Sequence, residues 1–573
     1  MKEEEIMGST NSHHEAKGKS LSRRTFLASA ALAGTTAALT SLGGCAPSSN
    51  GGTSNAGNNG SGATASHAWL DPAPELPETV AEETYDVVIV GAGIAGCTAA
   101  QAAAEAGASV YVAEKFEGVT AHGTDIGAVG SSLQLQEGVN IDSALAARLI
   151  YQWGQSEANY YLIRTFVERS GEIMDRYIDM AKETGYEVVL NSEMTARSDW
   201  DTLDDRFKQF RTAHKFLLPE GSDLPEQPWN VGYFINMVAD DAQERGAVFA
   251  FNTTAEQLVR ENNAVTAVIV RDDEGAKRIN ATKGVILATG GITDNEEMKR
   301  CFCPIALRAD KSDYFPVGGN LGDGLIMGSW VGAALSPCYP APIIHPVSLS
   351  VMGPGFDTCW LTVNRDGMRY CCEVGFEPIV TNARMNTPGN VAWAIWDAHY
   401  PEHAQRQEPT KSKSFMDGLE DKVEQAVTDG AFFKGETLDE LAEAIGVPGD
   451  ALKRTVERYN SFCDAGEDPD FGVPPRFLSS VKDGPFYASN VSAWLLALPY
   501  GLRVDQNSQV LDTEDQPIGG LFAIGNVQGD FFANSYPVTL PGTSHGRGMT
   551  YGYLVGSALA RGETLGGYKA GIA

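Results

Sequence analysis

The chain has 573 residues, 43% hydrophobic and 20% charged, the composition of a globular protein too long for a single core. Its formal net charge of −31 argues against nucleic acid or an anionic membrane surface as partner, and suits open solvent or a basic protein. Nine cysteines occur without a CxxC pair or a CxxCH haem-attachment motif, so Cys301, Cys303, Cys371 and Cys372 read as buried thiols, and no metal site is expected.

Residues 1–45 read as a targeting segment. Ser22-Arg23-Arg24-Thr25-Phe26-Leu27 is a twin-arginine pattern, and Ala28 to Leu42 is too short and too weakly apolar for a membrane anchor. Twin-arginine export carries folded proteins, often with a cofactor in place. Leu42-Gly43-Gly44-Cys45 reads as a lipobox in which Cys45 is lipidated after cleavage; the alternative is a plain thiol in a segment removed by another peptidase. Residues 46–83, rich in Ser, Gly, Asn and Ala at their start, are expected to be a flexible linker.

The body is expected from residue 84. Asp86 to Gly96 (DVVIVGAGIAG) sets a short apolar strand before a turn with Gly91, Gly93 and Gly96, then an Ala-rich helix to Ala106. Any side chain at these glycines would hold the backbone away from a pyrophosphate, while the helix N-terminus offers free N–H groups and a positive dipole end. A second strand, Ala108 to Ala113, ends at Glu114, whose carboxylate can accept both hydroxyls of an adenosine ribose. Strand, turn, helix, strand and acid together point to a dinucleotide site.

Past the Gly-rich stretch His122 to Ser132, helices are predicted at Asp142–Gly154, Glu157–Thr184 and Val231–Arg245. Ala247–Phe251 and Leu258–Arg271 read as strands, and the apolar run Val285–Ala288 leads into Thr289-Gly290-Gly291. Between residues 316 and 496 the pattern changes to short strands among helices, with a capping box at Thr437–Glu440 and a helix from Pro448 to Phe462, and this block reads as an inserted domain. From Gly501 the strand-to-helix style resumes, and a last helix covers about Gly546 to Arg561.

These motifs, in this order, resemble the flavoprotein subunits of the fumarate reductase and succinate dehydrogenase superfamily, with features similar to the 3-ketosteroid dehydrogenases. The resemblance rests on VGAGIAG with Glu114-Lys115, ATGG at 288–291 and Gly322-Asp323-Gly324. It continues through Val363-Asn364-Arg365-Asp366-Gly367-Met368-Arg369-Tyr370, Pro485-Phe486-Tyr487-Ala488 and GLFAIGN at 520–526. It implies an α/β fold: a Rossmann-like FAD-binding domain in two segments, 84–315 and 497–573, with an α+β capping domain inserted at 316–496. The cofactor implied is FAD. Gly91, Gly93, Ala95 and Gly96 would hold its pyrophosphate, Glu114 and Lys115 the ribose side, and Ala255 would lie by the adenine. His122, Gly123, Gly127, Gly290 and Asp323 would line its course, with Asn526 at the ribityl chain and Ser544 and His545 near the pyrimidine end.

The catalytic set departs from the fumarate reductases. Glu377 stands where their proton-donating Arg is expected, Ala497 where a carboxylate-binding His is, and Thr539 where a second Arg is; His345 keeps the histidine of the cap. Fumarate would bring two charges to a pocket without partners for them. Aromatic residues take the space instead: Tyr339, Tyr500, Phe531, Phe532 and Tyr536. Ser535-Tyr536-Pro537 with Pro541-Gly542 is similar to a Tyr-Pro-Gly stretch of the ketosteroid dehydrogenases, which implies Tyr536 and the Gly542 N–H as carbonyl polarisers, with Tyr339, Tyr500 or His345 as proton donor. The expected activity is reduction of an activated C=C bond in an enone, enoate or lactone, with electrons from an external cytochrome c. The alternatives are the reverse dehydrogenation and an electron-relay protein without substrate chemistry.

Overall fold

Val87 to Val90 are buried on both faces, as a central parallel strand must be, and they place the rest of the main sheet around them. The computed structural model describes residues 67–191, 210–312, 314–345, 359–374, 377–407 and 418–565. The targeting segment, Cys45, most of the linker and Pro346 lie outside the described residues. No described helix is long and apolar enough to cross a membrane.

Across the eight-stranded sheet the order is Gln509–Leu511, Pro517–Ala523, Ala264–Asp272, Gly275–Leu287, Ala81–Val90, Val110–Ala113 and Val248–Ala250, with Thr254–Glu261 pairing on Ala264–Asp272. Ala81–Val90 runs parallel to Val110–Ala113 on one side and to Gly275–Leu287 on the other. Pro517–Ala523, from the C-terminal segment, is parallel to Gly275–Leu287. The last helix, Thr543–Arg561, lies on the first, Ile94–Glu105, at backbone distance: a Cβ on Gly552 would meet the Ala95 carbonyl oxygen at 2.6 Å, and one on Gly556 the Ala99 oxygen at 2.3 Å. Glycine at every fourth position thus brings the C-terminal segment onto the glycine turn.

Three expectations change. Leu258–Arg271 is not one strand but parts of a hairpin, Thr254–Glu261 and Ala264–Asp272, turning at Asn262-Asn263 with Asn262 at φ 57°. Asn tolerates that left-handed conformation, and equally apolar arms hid the turn. The linker is packed from His67 onward. Trp69, 5% exposed, lies 5.4 Å from the Phe302 ring, and Pro74 accepts a hydrogen bond from Gln257. The insertion also begins later than residue 316. Leu325, Met327, Cys338, Ile343 and Ile344 belong to the first core with Leu495 and Ala497.

A three-stranded sheet of Lys311–Ser312, Trp494–Ala497 and Ile343–His345 makes the junction. Beyond it, Leu361–Asn364, Ala392–Trp396, Phe486–Asn490 and Phe432–Gly435 form an antiparallel sheet with a core on each face. Leu361, Val363, Ile395 and Ala488 face the helices Leu438–Ile445 and Gly449–Ala465, while Trp360, Ala394, Trp396 and Tyr487 pack on the opposite side. The alternation is the period of two that side chains follow along a strand. Arg384, buried on the helix Glu377–Met385, ties this domain to the first through Asp310 at 2.7 Å.

Candidate active site

Three glycines shape the first turn for two different reasons. Gly91, at φ 102°, sits against the Ala288 carbonyl, and a Cβ on Gly96 would come within 1.9 Å of the Gly91 oxygen, so both close the turn itself. A Cβ on Gly93 would point into open space, with only the Thr120 oxygen near at 3.8 Å. That gap opens at a helix N-terminus with no side-chain cap, where free N–H groups suit a pyrophosphate. Ala95 is buried, with its methyl group against Gly525 and Gly548.

Glu114 is set beside this turn by the strand Val110–Ala113. Its carboxylate accepts from the Ala92 N–H at 2.7 Å and the Phe116 N–H at 3.0 Å. Burial pushes the carboxyl up, and these N–H groups pull it back. Two oxygens holding one bond each keep acceptor capacity for two hydroxyls. The N–H of Thr253, two residues before Ala255, donates to the Glu114 carbonyl and so brings the strand Thr254–Glu261 alongside. Lys115 and Asp323, both expected at the cofactor, pair with each other at 2.8 Å. Gly290 packs on Asn320, whose Oδ1 accepts from the Gly291 N–H. An uncapped helix start, a Cβ-free gap and a carboxylate with acceptor capacity to spare fit FAD.

The far end is built from the Gly-rich stretch and the last helix. The Gly127 N–H donates to the Gly542 carbonyl at 2.8 Å, and a Cβ on Gly546 would be 1.8 Å from the Gly127 oxygen. Gly123 leaves room for the His545 ring, which would be 2.7 Å from its Cβ. Burial pushes His545 down, which favours the neutral ring, and its Nδ1–H donates to the Asp125 carbonyl at 2.9 Å. His122 packs edge-on against Trp229, with ring centroids 4.4 Å apart.

Tyr536, 7% exposed, reaches the same helix start. Its hydroxyl accepts from the Ser544 N–H at 3.0 Å, which leaves its own proton to give. Burial pushes that hydroxyl up to about 12, against the pull of the N–H and of Arg547. The Ser544 hydroxyl donates to Asn526 Oδ1 at 3.1 Å, and the Arg547 guanidinium donates to the same oxygen at 2.9 Å.

The other expected catalytic residues land differently. The N–H of Ser544 meets the Tyr536 hydroxyl, and Gly542, at a left-handed φ of 78° just before the helix, gives its carbonyl to the Gly127 N–H. Tyr500 is buried with its hydroxyl proton on the Ser336 carbonyl at 3.1 Å and its ring 4.8 Å from Phe302, so that proton is committed and not available to a substrate. Tyr339 is 70% exposed, at the mouth of a cleft whose lining includes Tyr500, Asp530, Phe532 and Arg547. A ring so open to water is the rim of the cleft rather than a desolvated donor. His345 is a half-buried residue of the junction sheet, paired with Trp494. Ala497 and Thr539 are buried and uncharged. Sequence reasoning missed Arg547; its signal was a lone cation among small residues in Ser544-His545-Gly546-Arg547-Gly548.

The chain matches the family model described as FAD binding domain over residues 86–538. It is 26% identical to the vinyl phenol reductase of Lactiplantibacillus plantarum, over 81% of this chain and 94% of that protein. It is 28% identical to the 4-oxocyclohexanecarboxylate 2-dehydrogenase of Sinomonas cyclohexanicum, over 86% of this chain and 95% of that one. Its fold is similar to that of the 3-ketosteroid-Δ4-(5α)-dehydrogenase from Rhodococcus jostii RHA1, with a TM-score of 0.65 over 85% of this chain and 99% of that chain, at 23% identity.

Proposed function

From the premise that the chain belongs to the FAD binding domain family, we propose that it is an exported reductase of activated C=C bonds on aromatic or alicyclic carbonyl compounds, with fumarate excluded. Its cofactor is FAD and its chemistry is oxidation–reduction at CH–CH or C=C groups. Bound FAD supplies the hydride. The residues of this chain bind the substrate carbonyl, polarise it and keep water out.

The observation that carries the reading is the Tyr536 hydroxyl held by the Ser544 N–H at the start of the last helix. An O–H that accepts a bond from a helix N-terminus is a stronger donor, and its remaining proton can bond a carbonyl oxygen conjugated to the C=C bond. As hydride reaches the β-carbon, negative charge moves to that oxygen, and a preorganised donor there contributes about 3–4 kcal/mol to the transition state. The buried, uncharged Ala497 and Thr539 offer no positive charge to a dicarboxylate. A vinyl phenol reductase among the relatives favours an aromatic acceptor and the reductive direction. The dehydrogenase acting on 4-oxocyclohexanecarboxylate favours the reverse reading, desaturation next to a ring ketone. Electrons would arrive from an external basic cytochrome c, attracted by the net charge of −31. Export by the twin-arginine route and a lipid on Cys45 complete the proposal.

The test is anaerobic. FAD-loaded protein is reduced with viologen and offered fumarate, cinnamates, unsaturated lactones and 4-ene-3-ketosteroids. Rapid reoxidation by the aromatic or alicyclic members with fumarate inert is expected. Equal turnover of fumarate would overturn the reading of Ala497 and Thr539, and a flavin that no organic acceptor reoxidises would leave only an electron relay.

A further inference from the structure

Arg547 is fully buried, and nothing in the chemistry above uses it. One guanidinium nitrogen donates to Asn526 Oδ1 at 2.9 Å and another to the Gln528 carbonyl at 3.4 Å. The group lies over the rings of Phe532 at 4.6 Å and Phe531 at 5.1 Å, and its Nε has no hydrogen-bond partner among the described residues. No described carboxylate forms an ion pair with it. Asp530, which lines the same cleft, is taken up by the Ser336 hydroxyl at 2.6 Å and the Val504 N–H at 3.1 Å. Burial pushes the guanidinium down to about 10, which leaves it charged at neutral pH.

A buried cation without an anion is costly, and cation–π contact with two rings offsets only part of the loss. The geometry says what the charge faces. Asn526, half-buried, already accepts at Oδ1 from both Ser544 and Arg547. With both lone pairs of that oxygen filled, the amide orientation is set and its NH2 is the group left to donate. Reduction of the isoalloxazine by two electrons and one proton adds one negative charge. We propose that Arg547 is a positioning residue for the redox state of the cofactor: it locks Asn526 with its amide N–H groups toward FAD and supplies the positive charge that favours the anionic reduced form. The proposal rests on the FAD assignment and on Asn526 lying at the cofactor, not on the identity of the substrate.

The test is a spectroelectrochemical titration of the full-length FAD-loaded protein, with viologen mediators carrying the electrons. Arg547→Met is expected to lower the midpoint potential by about 30 mV or more, a tenfold shift of the two-electron equilibrium. Arg547→Lys, which keeps the charge, is expected to restore most of that shift. Asn526→Asp, which puts a carboxylate against the guanidinium, gives a second measurement should the methionine variant not fold, and is also expected to lower the potential. Variants that hold FAD at the wild-type potential would overturn the role of Arg547 and leave the site standing. A wild-type chain that takes up no FAD would overturn both.

Discussion

Tyr536 differs from the other aromatic residues of the site in one respect: its hydroxyl receives a bond from the chain and has its own proton to spend. Replacing it by Phe is expected to lower kcat by about 10²–10³-fold, the loss of one preorganised donor, with the flavin spectrum unchanged. Stopped-flow reoxidation of the reduced enzyme reads this directly. Tyr500→Phe should change kcat by less than about threefold, because that proton is already on the Ser336 carbonyl, and should cost roughly 1 kcal/mol in urea unfolding. The raised value of Tyr536 has a defined sign. Its neutral form is favoured in the fold, so its contribution to stability is complete below pH 10 and is lost between 10 and about 12. A pH–rate profile should therefore place the alkaline limb of Tyr536 near 12, and a limb at 10 would remove it from the carbonyl.

At the scale of the element, the Gly-rich stretch is held between the last helix and the strand Ala213–Leu217, and His214 is the titratable group of that contact. Its ring is fully buried, with Nδ1 on the Thr212 carbonyl and Nε2 on the Ser131 hydroxyl, each at 2.8 Å. Burial pushes it down to about 4. The unfolded chain takes the proton first, so stability is full above pH 6.5 and falls as the pH drops toward 4, by about 2 kcal/mol at pH 5. Urea midpoints at pH 7 and pH 5 measure it, and His214→Gln should flatten the difference. The two strands joined by Asn262-Asn263 show why this scale was only partly legible. Periodicity announced apolar residues on both arms, whereas a single left-handed Asn turned one expected strand into a hairpin.

For the molecule as a whole, the inserted domain and the first core meet at Arg384. Its guanidinium binds Asp310, just before the junction strand Lys311–Ser312, and Asn390 in the insertion, each at 2.7 Å, and the Asn390 amide reaches back to the Arg308 carbonyl at 2.7 Å. Arg384→Met should loosen the insertion: faster limited proteolysis within residues 359–491 and a severalfold higher KM, with FAD content unchanged. An unchanged KM and proteolysis pattern would mean that the junction sheet alone holds the two domains. The insertion point also shows what sequence spacing hides. Composition shifts near residue 316, but Ile343 and Ile344 are buried in the first core because Trp494–Ala497 returns to pair with them.

The sequence by itself determined the glycine turn and the acid that answers it, hence a dinucleotide site, and the order of the later motifs carried the resemblance that implied FAD. The turn and the acid depend on backbone conformation and on side-chain absence within one βαβ unit, and both are written in local residue order. Only the tertiary structure decided which hydroxyl keeps a proton to give and which buried cation pairs with no described carboxylate. Tyr500 and Ser336 are 164 residues apart, and Asn526 and Arg547 come from opposite ends of a long loop. Hydrogen-bond ownership and burial belong to pairs of residues, and the fold makes the pairs.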